Sequence, residues 1–187
     1  MNTVWIVLLV VLTLALVIAF VYNNLTKKRI LVREGWSGIG TYLQQRSDLI
    51  PNLVESVKGY SLHESNTLAE VIKWRNRGLD ARSTSDKMEA DKGMNKALVE
   101  FFSLAEQYPD LKANSNFIQL QESLKEMETV LNQSRRYYNG TVRSYNQSIA
   151  VFPNNLIAGM FGFIPETFFQ EEATAKELPK VSFTGNV

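Results

Sequence analysis

Two sets of polar residues in this chain have types and spacing that chemistry could use. The first is Arg46, Asp48 and Asn52, followed by His63 and Glu64. His63 is the only histidine. The helical zinc motif His-Glu-x-x-His needs a second histidine at its fifth position, where this chain has Thr67. There is no cysteine, which excludes a disulfide, a thiolate metal site and a cysteine nucleophile. As a general base His63 lacks an evident activated nucleophile nearby in sequence. The expectation is no catalytic set, no metal and no cofactor. A ligand-binding protein or hydrolase built on His63 is the sharper alternative.

The second set is a repeat, Arg136-x-Tyr138-Asn139 and Arg143-x-Tyr145-Asn146, offset by seven residues. On a helix that offset stacks equivalent groups on one face, two turns apart. The tyrosine rings should pack and their hydroxyls should find partners. Pairing with carboxylates of the first helix is expected, with Asp48, Glu55 and Glu64 as candidates. A basic surface for a phosphate or partner is the alternative, opposed by Glu122, Glu126 and Glu128 in the same stretch.

Long helices must position both sets. From Val32, steps of four and three reach Trp36, Ile39, Leu43, Arg46, Ile50, Leu53, Val57, Tyr60, Glu64, Thr67, Val71 and Trp74. A stripe of mean spacing 3.5 marks helices packed nearly parallel with knobs into holes. Its phase survives Pro51, which favours one helix kinked there over two helices with Asp48 as N-cap of the second. Arg46 and Glu64 then lie on the apolar stripe, near Asp48, Asn52 and His63. Burying polar groups unpaired costs several kcal/mol. The expected role is therefore a structural polar network that fixes register. A third segment carries Met94, Leu98, Phe101, Ala105 and Tyr108, and Pro109 ends it. The last helix starts near Asn114 to Asn116 and carries Phe117, Leu120, Leu124, Met127, Leu131, Ser134, Tyr138, Thr141 and Tyr145. No segment of the core shows sustained alternation. The fold class is all-α: an N-terminal transmembrane helix, then an antiparallel up-and-down bundle of long, coiled-coil-like helices.

Residues 1–26 contain no charged side chain, and only Thr13 interrupts the apolar run from Val4 to Val21. Eighteen helical residues rise roughly 27 Å, about the hydrocarbon thickness of a bilayer. A cleaved signal peptide fits less well: no Lys or Arg precedes the run, and no small-residue cleavage site follows it. The chain divides into an anchor (1–26), a bundle (27–153) and an apolar, aromatic segment with tail (154–187). Lys27, Lys28, Arg29 and Arg33 follow the run, and none precedes it. This bias places residues 27–187 of a single-pass membrane protein in the cytoplasm; an extracytoplasmic bundle is the alternative. Lys plus Arg is 20 against 19 for Asp plus Glu, a balance that argues against nucleic acid as a partner.

Between Arg143 and Glu166 there is no charge, and residues 156–169 are rich in phenylalanine. Pro153 and Pro165 make the stretch unsuited to span a membrane. It folds back onto the bundle, lies in the membrane interface or meets another chain; Phe161, Phe163, Phe168 and Phe169 are the candidate contacts. An unbroken first helix would leave this segment distal, whereas a reversal at Pro51 would bring it to the bilayer.

The stretches Arg46-Ser-Asp48-Leu-Ile-Pro51-Asn52-Leu-Val54, Val57-Lys-Gly-Tyr60, His63-Glu64 and Tyr108-Pro-Asp-Leu-Lys-Ala-Asn114 resemble the LemA family. So do Arg135-Arg-Tyr-Tyr-Asn139, Tyr145-Asn146, Phe152-Pro153, Gly162-Phe163 and Pro179-Lys-Val-Ser-Phe183. The resemblance implies a bacterial protein with one N-terminal membrane segment, a helical bundle and no established catalytic activity. It further implies relatives that help build an intracellular membrane organelle and others encoded near membrane proteases. The expected function is a membrane-anchored, non-enzymatic scaffold or adaptor that self-associates. Its expected partners are the lipid bilayer, further copies of the chain as a homo-oligomer, and a membrane protease or other membrane protein. Membrane remodelling through residues 156–169 is the alternative.

Overall fold

The computed structural model describes residues 2–60 and 66–169. All regular structure among them is helical: α1 Asn2–Ser56, α2 Asn66–Asp80, α3 Thr84–Ala105, α4 Pro109–Lys112, α5 Ser115–Ala150 and α6 Asn154–Met160. His63 and Glu64 lie outside the described residues.

α1 is a single rod of 55 residues, about 80 Å long. Its first third is apolar on every face and almost wholly uncovered by the rest of the protein. A helix hydrophobic all round and left bare in this way has the character of a membrane span. From Val21 onward one face of the same rod becomes core, through Leu25, Val32, Ile39, Ile50 and Leu53. The span therefore continues into the bundle without a joint.

Pro51 lies inside α1. Proline has no N–H, so the carbonyl four residues earlier, that of Ser47, loses its helical partner. Arg75 of α2 replaces it, donating from Nε to the Ser47 carbonyl at 3.0 Å. The helix then runs only to Ser56, and Gly59 (φ +94°) turns the chain. The reading of one helix from Val32 to Trp74 is thus corrected. The helix does pass Pro51, but Val71 and Trp74 belong to α2, whose stripe happens to continue the phase.

α2 runs back along α1, and α3 reverses again. Gly93 on α3 permits the close α2–α3 contact, since a Cβ there would lie 2.2 Å from the Trp74 ring. Side-chain caps start the later helices: Ser83 accepts from the Asp86 N–H, and Asn114 accepts from the N–H groups of Asn116 and Phe117. α5 then descends antiparallel to α1, as Arg46–Glu128 and Lys28–Ser148 show. The extra α2–α3 hairpin makes an unbroken α1 compatible with a descending last helix. The choice between a distal segment at an unbroken α1 and a proximal one at a reversal is therefore corrected: α1 is unbroken at Pro51, and the aromatic segment lies at the apolar end.

Candidate functional site

Two apolar clusters make up the core. The distal one includes Ile50, Leu53, Val71, Met94, Phe101, Phe117 and Leu124. The proximal one includes Val21, Leu25, Ile39, Leu131, Tyr138, Tyr145 and Ile157. Between them lies a layer of charge. Arg46 (3% exposed) pairs with Asp91 and with Glu128 at 2.8 Å, and its Nη1 donates to Asn95. Arg135 (6% exposed) pairs with the other Asp91 oxygen at 2.5 Å and with Glu128 at 2.9 Å. It also donates to Asn132 at 2.7 Å. Two arginines and two carboxylates thus form a closed ring at the junction of the clusters. Such a ring penalises any slip in helix register, because a slip would leave a buried charge unpaired.

This ring differs in membership from the expected network. Asp48 and Asn52 are exposed on α1, and Asp48 accepts from Gln44. They face away because each is offset from the stripe by two residues or by one. Arg136 and Arg143 are exposed on α5 for the same reason. Asp91, Glu128 and Arg135 are the members that sequence reasoning missed. Asp91 continues the α3 stripe three residues before Met94, and Arg135 sits four beyond Leu131 and three before Tyr138. A charge on a stripe was the available signal, the same one that marked Arg46.

The Tyr-Asn repeat has another task. Tyr138 donates to the Thr167 carbonyl at 2.8 Å, and Tyr145 donates to the Ile164 carbonyl at 3.0 Å. Asn139 both donates to the Phe169 carbonyl and accepts from its N–H, and Asn146 does the same with Glu166. Residues 164–169 are therefore held as an extended strap along α5. Seven helical residues rise about 10.5 Å, and three extended residues cover about 10 Å. The heptad of the helix thus matches a three-residue step of the strap. The expected pairing of this repeat with α1 carboxylates is corrected accordingly: an amide side chain and a phenol read backbone peptide groups, which a carboxylate cannot supply. Burial raises the Tyr138 phenol above its ordinary pKa, and the Glu166 carboxylate adds to this. Burial also raises Tyr145; Arg29 opposes it, Glu166 adds and Arg33 opposes.

At the lower end, α6 folds against the exit of the apolar run. Ile157 and Ala158 pack with Val21 and Leu25. Tyr22 meets Phe161 and Phe163 edge-on, with centroids 5.0 and 5.6 Å apart, and the Arg29 guanidinium lies over Phe163 at 4.7 Å. Of the four phenylalanines expected as outward contacts, Phe163 and Phe169 are buried, a correction that follows from these stacks. Phe169 is covered by Trp36 and Arg135. Phe161 and Phe168 are exposed, but the most outward apolar side chains here are Phe152, Met160 and Ile164.

A cleft of about 890 Å³ opens beside the charge ring, between Ser83 and Ser85 of the α3 start and Phe168 of the strap. Charges of both signs line it, and those of Asp91, Glu128 and Arg135 are already committed to one another. It offers no focused field for an anion or a cation. Among the described residues, no group of three or more His, Asp or Glu side chains is placed to hold a metal.

Comparison with known proteins places these features in a family. Protein LemA of Metamycoplasma hominis is 26% identical over 171 residues, covering 87% of this chain and 74% of the relative. Magnetosome protein MamQ 2 of Paramagnetospirillum magneticum is 24% identical over 196 residues, covering 88% and 72%. Magnetosome protein MamQ of Magnetospirillum gryphiswaldense is 29% identical over 83 residues, covering 44% and 30%. The family model described as LemA family matches residues 35–183, from the second half of α1 past the strap, and the chain belongs to the LemA family.

Proposed function

We propose that this protein is a membrane-anchored, non-enzymatic scaffold that self-associates and presents its bundle as a rigid post. The observation that carries the reading is α1, one uninterrupted helix that is bare and apolar at one end and core at the other. A joint at the membrane exit would let the bundle tumble; a continuous helix ties the orientation of the bundle to that of the apolar stretch. Among the described residues, the buried polar side chains Arg46, Asp91 and Arg135 are engaged in the charge ring and Tyr138, Asn139, Tyr145 and Asn146 in the strap clamp, which supports a structural use for them. Relatives named for the magnetosome suit a protein that organises a membrane. The Lys27 to Arg33 charge bias supports a cytoplasmic bundle, and the family supports a bacterial inner membrane as its location. A membrane protease is a candidate client for such a post.

Light scattering on the full chain in detergent tests the self-association, with a mass above one protomer as the expected result and a strictly monomeric particle as the contrary one. Protease cutting of the exposed α2–α3 connection around Arg82 tests the placement. Cleavage in inverted vesicles but not in spheroplasts is expected, and the reverse pattern would move the bundle outside.

A further inference from the structure

The apolar surface of the lower end is larger than the fold needs. Phe152 is 78% exposed, Met160 73% and Ile164 71%, with Leu156 and Phe161 also outward. Leu156 and Met160 share one face of α6, four residues apart, and Ile157 and Ala158 turn toward α1. Exposed apolar side chains clustered in this way mark a contact surface. Their level is set by α1: Tyr22 touches Phe161 and Phe163, and Val21 and Leu25 share a core with Ile157. That is where the apolar run of α1 ends. The run is barely long enough to cross a hydrocarbon core of about 30 Å, so the level of Tyr22 is the bilayer boundary. The chain carries no charge from residue 144 to residue 165, which spares it the cost of bringing ions to that boundary. Lys27, Lys28 and Arg29 stand just above, one to two turns beyond Tyr22, within side-chain reach of the headgroups.

We propose that α6 and its flanking turns form an interfacial foot, inserting Phe152, Leu156, Met160, Phe161 and Ile164 into the same leaflet that α1 enters. The occupant of this surface is lipid. The proposal rests on α1 being the anchor. Two points of contact on one leaflet fix the tilt of the post, which one helix cannot do alone. The foot also adds side-chain volume to one leaflet only, beside the span.

The chain has no cysteine, so single labels can be placed cleanly. The test reconstitutes the full chain in vesicles of phosphatidylcholine and phosphatidylglycerol, with spin labels at Leu156→Cys or Met160→Cys. Leu12→Cys in the span and Val99→Cys on the exposed face of α3 serve as references. The expected result is loss of nickel-chelate accessibility and gain of oxygen accessibility at both foot positions, as at Leu12→Cys and unlike Val99→Cys. The same protection should persist when the protein is diluted into excess lipid. Nickel access at the foot equal to that at Val99→Cys overturns the proposal while leaving the anchor intact. Protection that disappears on dilution assigns the surface to a second copy and also overturns it. Nickel access at Leu12→Cys would remove the anchor and the foot together.

Discussion

Arg75 donates its Nε–H to the carbonyl of Ser47 at 3.0 Å, the carbonyl that Pro51 deprives of its helical partner. A proline that would ordinarily break a helix is thereby carried inside one, with the defect closed by the neighbouring helix. A side chain of α2 thus supports a backbone group of α1. Arg75→Leu should destabilise the fold by about 1.5 kcal/mol, the scale of a hydrogen bond to a charged donor. In a Pro51→Ala background the backbone N–H regained at that position can serve Ser47 directly, and the same Arg75→Leu change should cost far less. Thermal unfolding of the four proteins of this cycle in one detergent checks it. Equal costs in both backgrounds would mean that Arg75 acts through some other contact.

The charge ring makes an unequal prediction for its members. Arg46→Ala leaves Asp91 with Arg135 as a remaining partner. Asp91→Ala removes the buried one of the two carboxylates that bridge both arginines and leaves them only the more exposed Glu128. Breaking a buried pair costs about 3–5 kcal/mol when a charge is stranded. Asp91→Ala should fall at the upper end of that range or abolish folding, and Arg46→Ala should fall below it. The order of the melting temperatures decides the matter, and a lower value for Arg46→Ala would place the bridge elsewhere.

The two asparagines of the clamp differ from the tyrosines beside them because each pairs with both the N–H and the carbonyl of one strap residue. Asn139→Ala and Asn146→Ala should each cost about 1–2 kcal/mol, since two backbone groups of the strap lose their partners. The strap should also become accessible between Ile164 and Phe169. Limited proteolysis that cuts there faster in Asn146→Ala than in the parent would agree. Unchanged cutting would mean that burial of Phe163 and Phe169 alone retains the strap.

How much of this was legible in the sequence follows from the length of its signals. The apolar run and the 3.5-residue stripes spread over many residues, so the N-terminal apolar helix, the helical class and the position of Arg46 could be read. The turn after Ser56 could not, because α2 brings Val71 and Trp74 into the phase that α1 had set. Periodicity cannot see a reversal that preserves it. The clamp was visible as a seven-residue repeat, but its target was not. A side chain that binds backbone carries no complementary residue type for the reader to find. Arg135 escapes a strict three-and-four step, which lands on Ser134 one residue short of it, and Asp91 lies one step before the first apolar residue of the α3 stripe, Met94.

The tyrosines of the clamp give the fold a dependence on alkaline pH. Burial raises both phenols above their ordinary value of 10.0, with Glu166 adding to the shift at each; Arg29 and Arg33 oppose it at Tyr145. A phenolate cannot donate to the carbonyls of Thr167 and Ile164, so ionisation also removes the two clamp bonds. The sign follows from proton linkage. The unfolded chain releases these protons near pH 10, before the folded chain does, so the folded state binds more protons above that pH. The stability they confer is therefore fully present below pH 10 and is lost as pH rises from there through the raised values. Tyr138→Phe with Tyr145→Phe should be less stable than the parent at neutral pH, by about 1 kcal/mol for each lost hydrogen bond. It should, however, lose less of its remaining stability on going above pH 10. Melting temperatures of parent and double variant across that range give the comparison. Parallel alkaline slopes would show that other groups, and not the clamp, govern the loss.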